Sequence, residues 1–168
     1  MNTQVKIRFA EEDDLPIIVE IYNQAIVTKN STADLTPYTA EQRKKWFKEF
    51  DIKHYPIYVA EFENNIIGYA TLSPYRNGRE ALKQVAEISF YLQNESVRKG
   101  VGSQLVKHII EDCKRVNKTT LLAILLDINI SSVKLLQKFG FEEWGNLPLN
   151  SNFDGNKYGH LIYGLNLK

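Results

Sequence analysis

The chain begins with an alternation: Val5, Ile7 and Phe9 are apolar while Lys6 and Arg8 are charged, the period of a half-buried strand. The run Glu11-Glu12-Asp13-Asp14 then supplies carboxylates suited to a helix start. Leu15, Ile18, Val19, Ile21, Tyr22 and Ile26 recur at helical spacing to about residue 27. A polar stretch from Thr28 to Tyr38 is long enough to be a functional loop. Thr39 reads as the N-cap of a second helix reaching Phe50, with Arg43, Trp46, Phe47 and Phe50 along one side.

Strands fill the middle of the chain. Residues 57–62 and 66–72 are rich in β-branched and aromatic side chains, and Glu63-Asn64-Asn65 between them is turn chemistry, so a hairpin is predicted. After a loop over residues 73–79, the segment 84–93 alternates again. Ala86, Ile88, Phe90 and Leu92 share one face, and Val85, Glu87, Ser89 and Tyr91 share the other.

From Gly100 to about Val116, Val101, Leu105, Ile109 and Cys113 at four-residue steps predict an amphipathic helix with Cys113 in the core. The apolar run 120–126 suits a strand covered on both faces. A helix over 131–139 should stop at Gly140, with a strand starting at 141–144 and a last strand over 158–167. Strand, two helices, three strands, helix, strand, helix, two strands is the order of a layered α/β domain with a mixed sheet.

Composition narrows the classes. A chain of 168 residues with 43% hydrophobic and 24% charged positions fits one folded domain over 1–168. The 21 basic and 20 acidic residues leave a net charge of +1, so no strong overall field gathers nucleic acid or an anionic membrane, and any anion site must be local. The single cysteine, Cys113, excludes an intramolecular disulfide, and the scattered His54, His108 and His160 have no metal-ligand spacing. Met1 to Lys6 lacks the apolar core of a signal peptide, and no apolar run approaches the roughly 18 residues of a spanning helix. A soluble cytoplasmic protein without a metal is expected.

The most informative stretch follows the strand that ends near Leu92-Gln93, where Val97-Arg98-Lys99-Gly100-Val101-Gly102-Ser103 opens a helix. Glycines admit a ligand close to the backbone, and the free N–H groups and dipole of a helix start favour a phosphate or pyrophosphate. Taken alone, the same residues also read as a tight strand-to-helix turn carrying two surface cations. A Walker loop is excluded, because Lys118-Thr119 has no glycine directly before it. A dinucleotide fingerprint is excluded as well, because Leu105 stands where a third glycine is needed.

This stretch resembles the acetyl-CoA loop of the GNAT acyltransferase superfamily, [Q/R]-x-x-G-x-[G/A]. It matches at Gly100 and Gly102 and departs at Val97, which shifts the expected pyrophosphate contacts onto backbone amides. Supporting stretches are Ile21-Tyr22-Asn23, Pro56 to Glu61, Ala86 to Leu92, Asn129-Ile130-Ser131-Ser132 and Gly140-Phe141. Together they resemble the phosphinothricin and methionine sulfoximine N-acetyltransferase branch.

The resemblance implies a GNAT acyl-CoA N-acyltransferase fold, a mixed central sheet flanked by helices, and a homodimer. It implies acetyl-CoA as cosubstrate, held by Phe90, Tyr91 and Leu92 through main-chain contacts, by Arg98, Lys99, Gly100, Val101, Gly102 and Ser103, and by Asn129 and Ser132. Asn129 reads independently as the N-cap of the helix that follows it, a role compatible with the first.

Glu87 is the candidate base, since amide formation must take a proton from an ammonium group before nitrogen can attack. Many members of the superfamily place a tyrosine donor four residues before the terminal glycine of the later helix. Leu136 stands there, leaving Tyr91 and Tyr158 as alternative donors. For the acceptor, Tyr75, Arg76, Asn77 and Arg79 form a loop whose arginines could pair with a carboxylate, with Thr32 to Asp34 and Tyr38 as an opposite wall. A small amine is the expected partner; acetylation of a polyamine, an antibiotic or a protein N-terminus, or a non-catalytic acyl-CoA-binding module, are the rival readings.

Overall fold

A computed structural model describes residues 4–167, so the part of the N-terminal reading that rests on Met1, Asn2 and Thr3 lies outside the described residues. Seven strands form one sheet: β1 (Lys6–Phe9), β2 (Ile57–Phe62), β3 (Asn65–Pro74), β4 (Val85–Leu92), β5 (Thr120–Leu126), β6 (Glu142–Phe153) and β7 (Asn156–Asn166). Their spatial order is β1-β2-β3-β4-β5-β7-β6. Every neighbouring pair is antiparallel except β4 and β5, which α3 (Val101–Asp112) joins as a parallel crossover.

The alternation read in β4 sorts its two faces into two cores. Ala86 and Ile88 pack with Val101, Leu105, Ile109 and Cys113 of the α3 side. On the opposite face, Tyr91 joins Tyr69 and Val59 against Ile18, Ile21, Tyr22 and Ile26 of α1 (Leu15–Thr28), with Trp46 and Phe47 of α2 (Ala40–Phe47) beside them. Ile18, Ile21, Leu105 and Ile109 are fully buried, each worth about 1.5–3 kcal/mol of transfer free energy. These four hold the helices to the two faces of the sheet.

Element ends depart from the sequence reading for local reasons. Glu11 to Asp14 stands at the helix start as read, with α1 beginning at Leu15, but its carboxylates act within a 3-10 turn, Glu12–Asp14, where Asp14 accepts from the Glu11 N–H and from Arg8. Helix α2 stops at Phe47 and not at Phe50, because the Glu49 and Phe50 N–H groups bond three residues back, to Trp46 and Phe47, and tighten the turn. Helix α3 stops at Asp112 and not near Val116. The chain passes through left-handed Asn117, and the Lys118 N–H returns to the Cys113 carbonyl. The start of a strand read at 141–144 continues as a 12-residue edge strand, β6, in a hairpin with β7.

Among the described residues no helix is long and apolar enough to cross a membrane.

Candidate active site

The site begins where β4 and β5 part. Their parallel pairing runs only through Val85↔Thr120, Ala86↔Leu121 and Glu87↔Leu122, while β4 stays paired to β3 as far as Leu92↔Gly68. From Ile88 to Leu92, therefore, β4 is bonded on one side only. The wedge between the strands opens into a small cavity of about 30 Å³ lined by Ile88, Ser89, Phe90, Tyr91, Ala123, Leu125, Asn129, Ser132 and Leu136.

A larger cavity of about 350 Å³ continues from it, bordered by Phe90 to Leu92, the glycine turn and the start of α4 (Ile130–Lys138). Of the residues read from sequence as cofactor contacts, Phe90, Tyr91, Leu92, Arg98, Gly100, Gly102, Ser103, Asn129 and Ser132 line it, and Lys99 and Val101 do not. Lys99 is exposed, and Val101 is buried in the core beneath the turn.

The glycine turn is built for close approach. Arg98 and Gly100 both have positive φ, 65° and 83°, and a Cβ on Gly100 would meet nothing within 4 Å. The first helical bond of α3 runs from the Gln104 N–H to the Gly100 carbonyl, so the N–H groups of Val101, Gly102 and Ser103 have no intrahelical acceptor. Gly102 has a packing reason: a Cβ there would lie 3.0 Å from the Leu135 side chain. This geometry fits the phosphate-bearing end of a coenzyme, supported by helix-end N–H groups and dipole.

Asn129 caps α4, its side-chain oxygen accepting from the Ser132 N–H at 3.3 Å. Capping uses the oxygen only. The amide nitrogen, a donor, remains for a ligand in the cavity that Asn129 lines.

Sequence reasoning did not single out Ala25, Thr28, Asn30 and Ser31, which close the large cavity from the end of α1 and the loop after it. The only signal was the length and polarity of that loop. Its inner part is tied down by the Tyr22 hydroxyl, which donates to Asp34 Oδ2 at 2.5 Å and shares a hydrogen bond with Thr32 Oγ1 at 2.8 Å. Asn23 holds Tyr38 through both its N–H and its carbonyl.

Glu87 stands at the fork on the face shared with Tyr91, half-buried, and burial pushes its carboxyl above the usual carboxylate range. Tyr91 stacks on Tyr69 and meets the edge of Tyr22, and its phenol is pushed up to about 12 by burial first and then by the charges of Glu87 and Asp34. A carboxylate with a raised proton affinity is a better proton acceptor than an ordinary one, the property that a base for an amine needs.

Three comparisons bear on this geometry. The sequence pattern of the acetyltransferase (GNAT) family matches residues 19–141. The chain belongs to the acetyltransferase (GNAT) family. It is 36% identical over 162 residues to YwnH of Bacillus subtilis, provisionally named a phosphinothricin acetyltransferase, covering 96% of this chain and 98% of that one. It is 32% identical over 143 residues to the L-methionine sulfoximine/L-methionine sulfone acetyltransferase of Pseudomonas aeruginosa, covering 84% of this chain and 83% of that one. A crystal structure of the Sinorhizobium meliloti phosphinothricin acetyltransferase in complex with acetyl-CoA superposes with a TM-score of 0.91 at 28% identity, covering 97% and 88% of the two chains.

As an acetyl-CoA-dependent GNAT acetyltransferase, the chain has distinctive positions. Val97, where the loop pattern has Gln or Arg, lines the large cavity but offers it no hydrogen bond. Leu136, where a tyrosine donor is common, is fully buried against the small cavity. Tyr91 lines both cavities, whereas Tyr158 lines neither and packs edge-on against Phe153. Tyr75, Arg76, Asn77 and Arg79 also line neither cavity; Tyr75 is half-buried, and the other three are exposed.

Proposed function

We propose that this acetyltransferase moves the acetyl group of acetyl-CoA to the amino group of a small amino-acid-like molecule of the phosphinothricin and methionine sulfoximine type. The observation that carries this reading is Glu87, a half-buried carboxylate of raised proton affinity at the point where β4 and β5 separate. The names of the relatives in Bacillus and Pseudomonas support the acceptor class.

When bound, acetyl-CoA supplies an acyl carbon activated as a thioester. Val101, Gly102 and Ser103 hold its pyrophosphate by their N–H groups, with Arg98 adding charge and Phe90 to Leu92 offering their open strand edge. Asn129 and Ser132 contact the pantetheine arm from the start of α4. Glu87 takes the proton from the acceptor's ammonium, which frees the nitrogen lone pair to attack; the C–N bond forms, and the C–S bond breaks. Tyr91, held protonated by burial, is the phenol beside the leaving thiolate. The loop from Tyr75 to Arg79 approaches the acceptor from outside the cavities. We place this one-domain protein in the cytoplasm as a homodimer, a reading supported by its single buried cysteine and by exposed Trp144, Leu147 and Leu149 on edge strand β6.

The test is a thiol-release assay with acetyl-CoA against methionine sulfoximine, methionine sulfone, phosphinothricin and a polyamine, with light scattering to count subunits. Turnover of the first three is expected. Turnover of the polyamine alone, or acetyl-CoA binding without thiol release on any amine, overturns the reading.

A further inference from the structure

The chain has six arginines, and only Arg8 and Arg43 are half-buried. Arg8 spends its guanidinium on Asp14 and Glu61. Arg43 has no such partner. Among the described residues, no carboxylate lies within salt-bridge distance of it. Three rings surround it instead, with its central carbon 3.9 Å from the centroid of Trp46, 5.0 Å from Tyr38 and 5.1 Å from Tyr22.

Aromatic faces hold a guanidinium flat and satisfy its charge in part, but they accept few of its five N–H donors. A partly desolvated cation held this way is arranged to receive an anion in bidentate geometry. Its position says which anion. Tyr22, one wall of the cage, meets Tyr91 edge-on at 4.9 Å, and Tyr91 shares the β4 face of Glu87. The Tyr91 phenol lies within the fields of Glu87, Asp34 and Arg43 together, the first two raising its proton affinity and Arg43 lowering it. Glu87 and Arg43 therefore flank one aromatic cluster beside the cavities that Tyr91 lines, although neither lines a cavity itself: on one side is a base for an amine, and on the other an unpaired cation.

We propose that Arg43 binds the carboxylate of the acceptor and makes this enzyme prefer amino acids to simple amines. The assignment rests on the proposed function above and moves the acid-binding role from the exposed Arg76 and Arg79 to the first turns of α2.

The experiment compares kcat/KM for L-methionine sulfone with that for 3-(methylsulfonyl)propan-1-amine, which is the same molecule without its carboxylate. The wild-type chain is expected to favour the amino acid. In Arg43→Met that ratio falls about 50-fold, the loss of a charge-assisted bidentate pair. Arg43→Lys keeps the charge without the fork and lowers the ratio by at least about fivefold, which covers the case in which Arg43→Met does not fold. Acetyl-CoA affinity and melting temperature are measured on each variant to separate folding from recognition.

An unchanged ratio in Arg43→Lys, or a ratio that survives in Arg43→Met and collapses in Arg76→Met or Arg79→Met, overturns the role of Arg43 and leaves the acceptor class standing. A wild-type chain that turns over neither compound overturns the acceptor class itself, and with it the role of Arg43.

Discussion

Glu87 and Leu122 form the last cross-strand pair between β4 and β5 before the two strands separate. On its other side Glu87 pairs with Ser73 of β3, so its backbone is held from both edges, and the carboxylate is half-buried, lines neither cavity and has no charged partner among the described residues. Glu87→Gln is expected to lower kcat by about 10²- to 10⁴-fold in the thiol-release assay, with acetyl-CoA affinity retained by calorimetry. Unchanged turnover would remove Glu87 as the base.

The same burial gives a pH dependence with a definite sign. The folded carboxyl has a higher proton affinity than the unfolded one, so the stability linked to Glu87 is fully present below the unfolded value and is lost as pH rises through the folded value. Glu87→Gln should therefore melt higher than the wild type at neutral pH, with the difference closing as the buffer falls to the usual carboxylate range. The wild-type rate should rise over that same raised interval, because only the ionised form accepts a proton.

Gly102 and Gly100 make opposite demands on the turn. A side chain on Gly102 enters the contact with Leu135 at 3.0 Å and pushes α3 from α4 across the large cavity. Gly102→Val is expected to weaken acetyl-CoA binding at least about tenfold by calorimetry, as overpacking costs about 1–3 kcal/mol. Gly100 has open space but a left-handed backbone at φ 83°, so Gly100→Ala is expected to lower stability by about 1 kcal/mol in a denaturant titration.

What was legible in the sequence was whatever periodicity encodes. The alternation from Ala86 to Leu92 divided the two cores of the sheet correctly, and the four-residue steps from Val101 to Cys113 marked the buried stripe of α3. Ends were less legible, because single backbone bonds decide them: the i→i−3 bond of Phe50 and the left-handed Asn117 leave no trace in hydrophobic pattern. The fork after Glu87 is a tertiary event, set by where β5 turns away, and neither strand's residues announce it. Ala25 and Ser31 border the cavity because α1 crosses the end of β4, a contact between segments far apart in the chain. Arg43 read as one side of an amphipathic helix, and its missing carboxylate became visible only once the cage around it was closed.

Arg8 fastens the first strand to the turn before α1. Its guanidinium donates to both oxygens of Asp14, at 2.7 and 3.0 Å, and to Glu61 of β2 at 2.9 Å. Burial alone would raise the Asp14 carboxyl, but the Arg8 bonds, the Glu11 N–H and the Arg8 charge outweigh it and hold the group below its usual range. Its stability contribution is therefore present above the unfolded value near 3.9 and is lost as pH falls through the lowered folded value. Asp14→Asn is expected to lose about 2 kcal/mol at pH 7, or roughly 6 °C of melting temperature, and to match the wild type in strong acid. A penalty independent of pH would show that packing, not ionisation, makes the contribution.

Tyr22 anchors the loop whose Asn30 and Ser31 line the large cavity. Its ring is a wall of the Arg43 cage and an edge contact of Tyr91, while its hydroxyl holds Thr32 and Asp34. Tyr22→Phe keeps every ring contact and removes the two bonds, leaving the Asp34 carboxylate without its phenol donor near the proposed carboxylate site at Arg43. The loop over residues 29–38 should then open at lower free energy, by about 1–3 kcal/mol, which hydrogen exchange of its amides would register as faster deuterium uptake. KM for L-methionine sulfone should rise about tenfold with kcat changed far less, because Glu87 and the glycine turn stay on rigid strand and helix. If kcat fell instead and the loop kept its protection, the Tyr22 hydroxyl would have to act on the reacting atoms themselves, and the division between a closing loop and a fixed catalytic strand would fail.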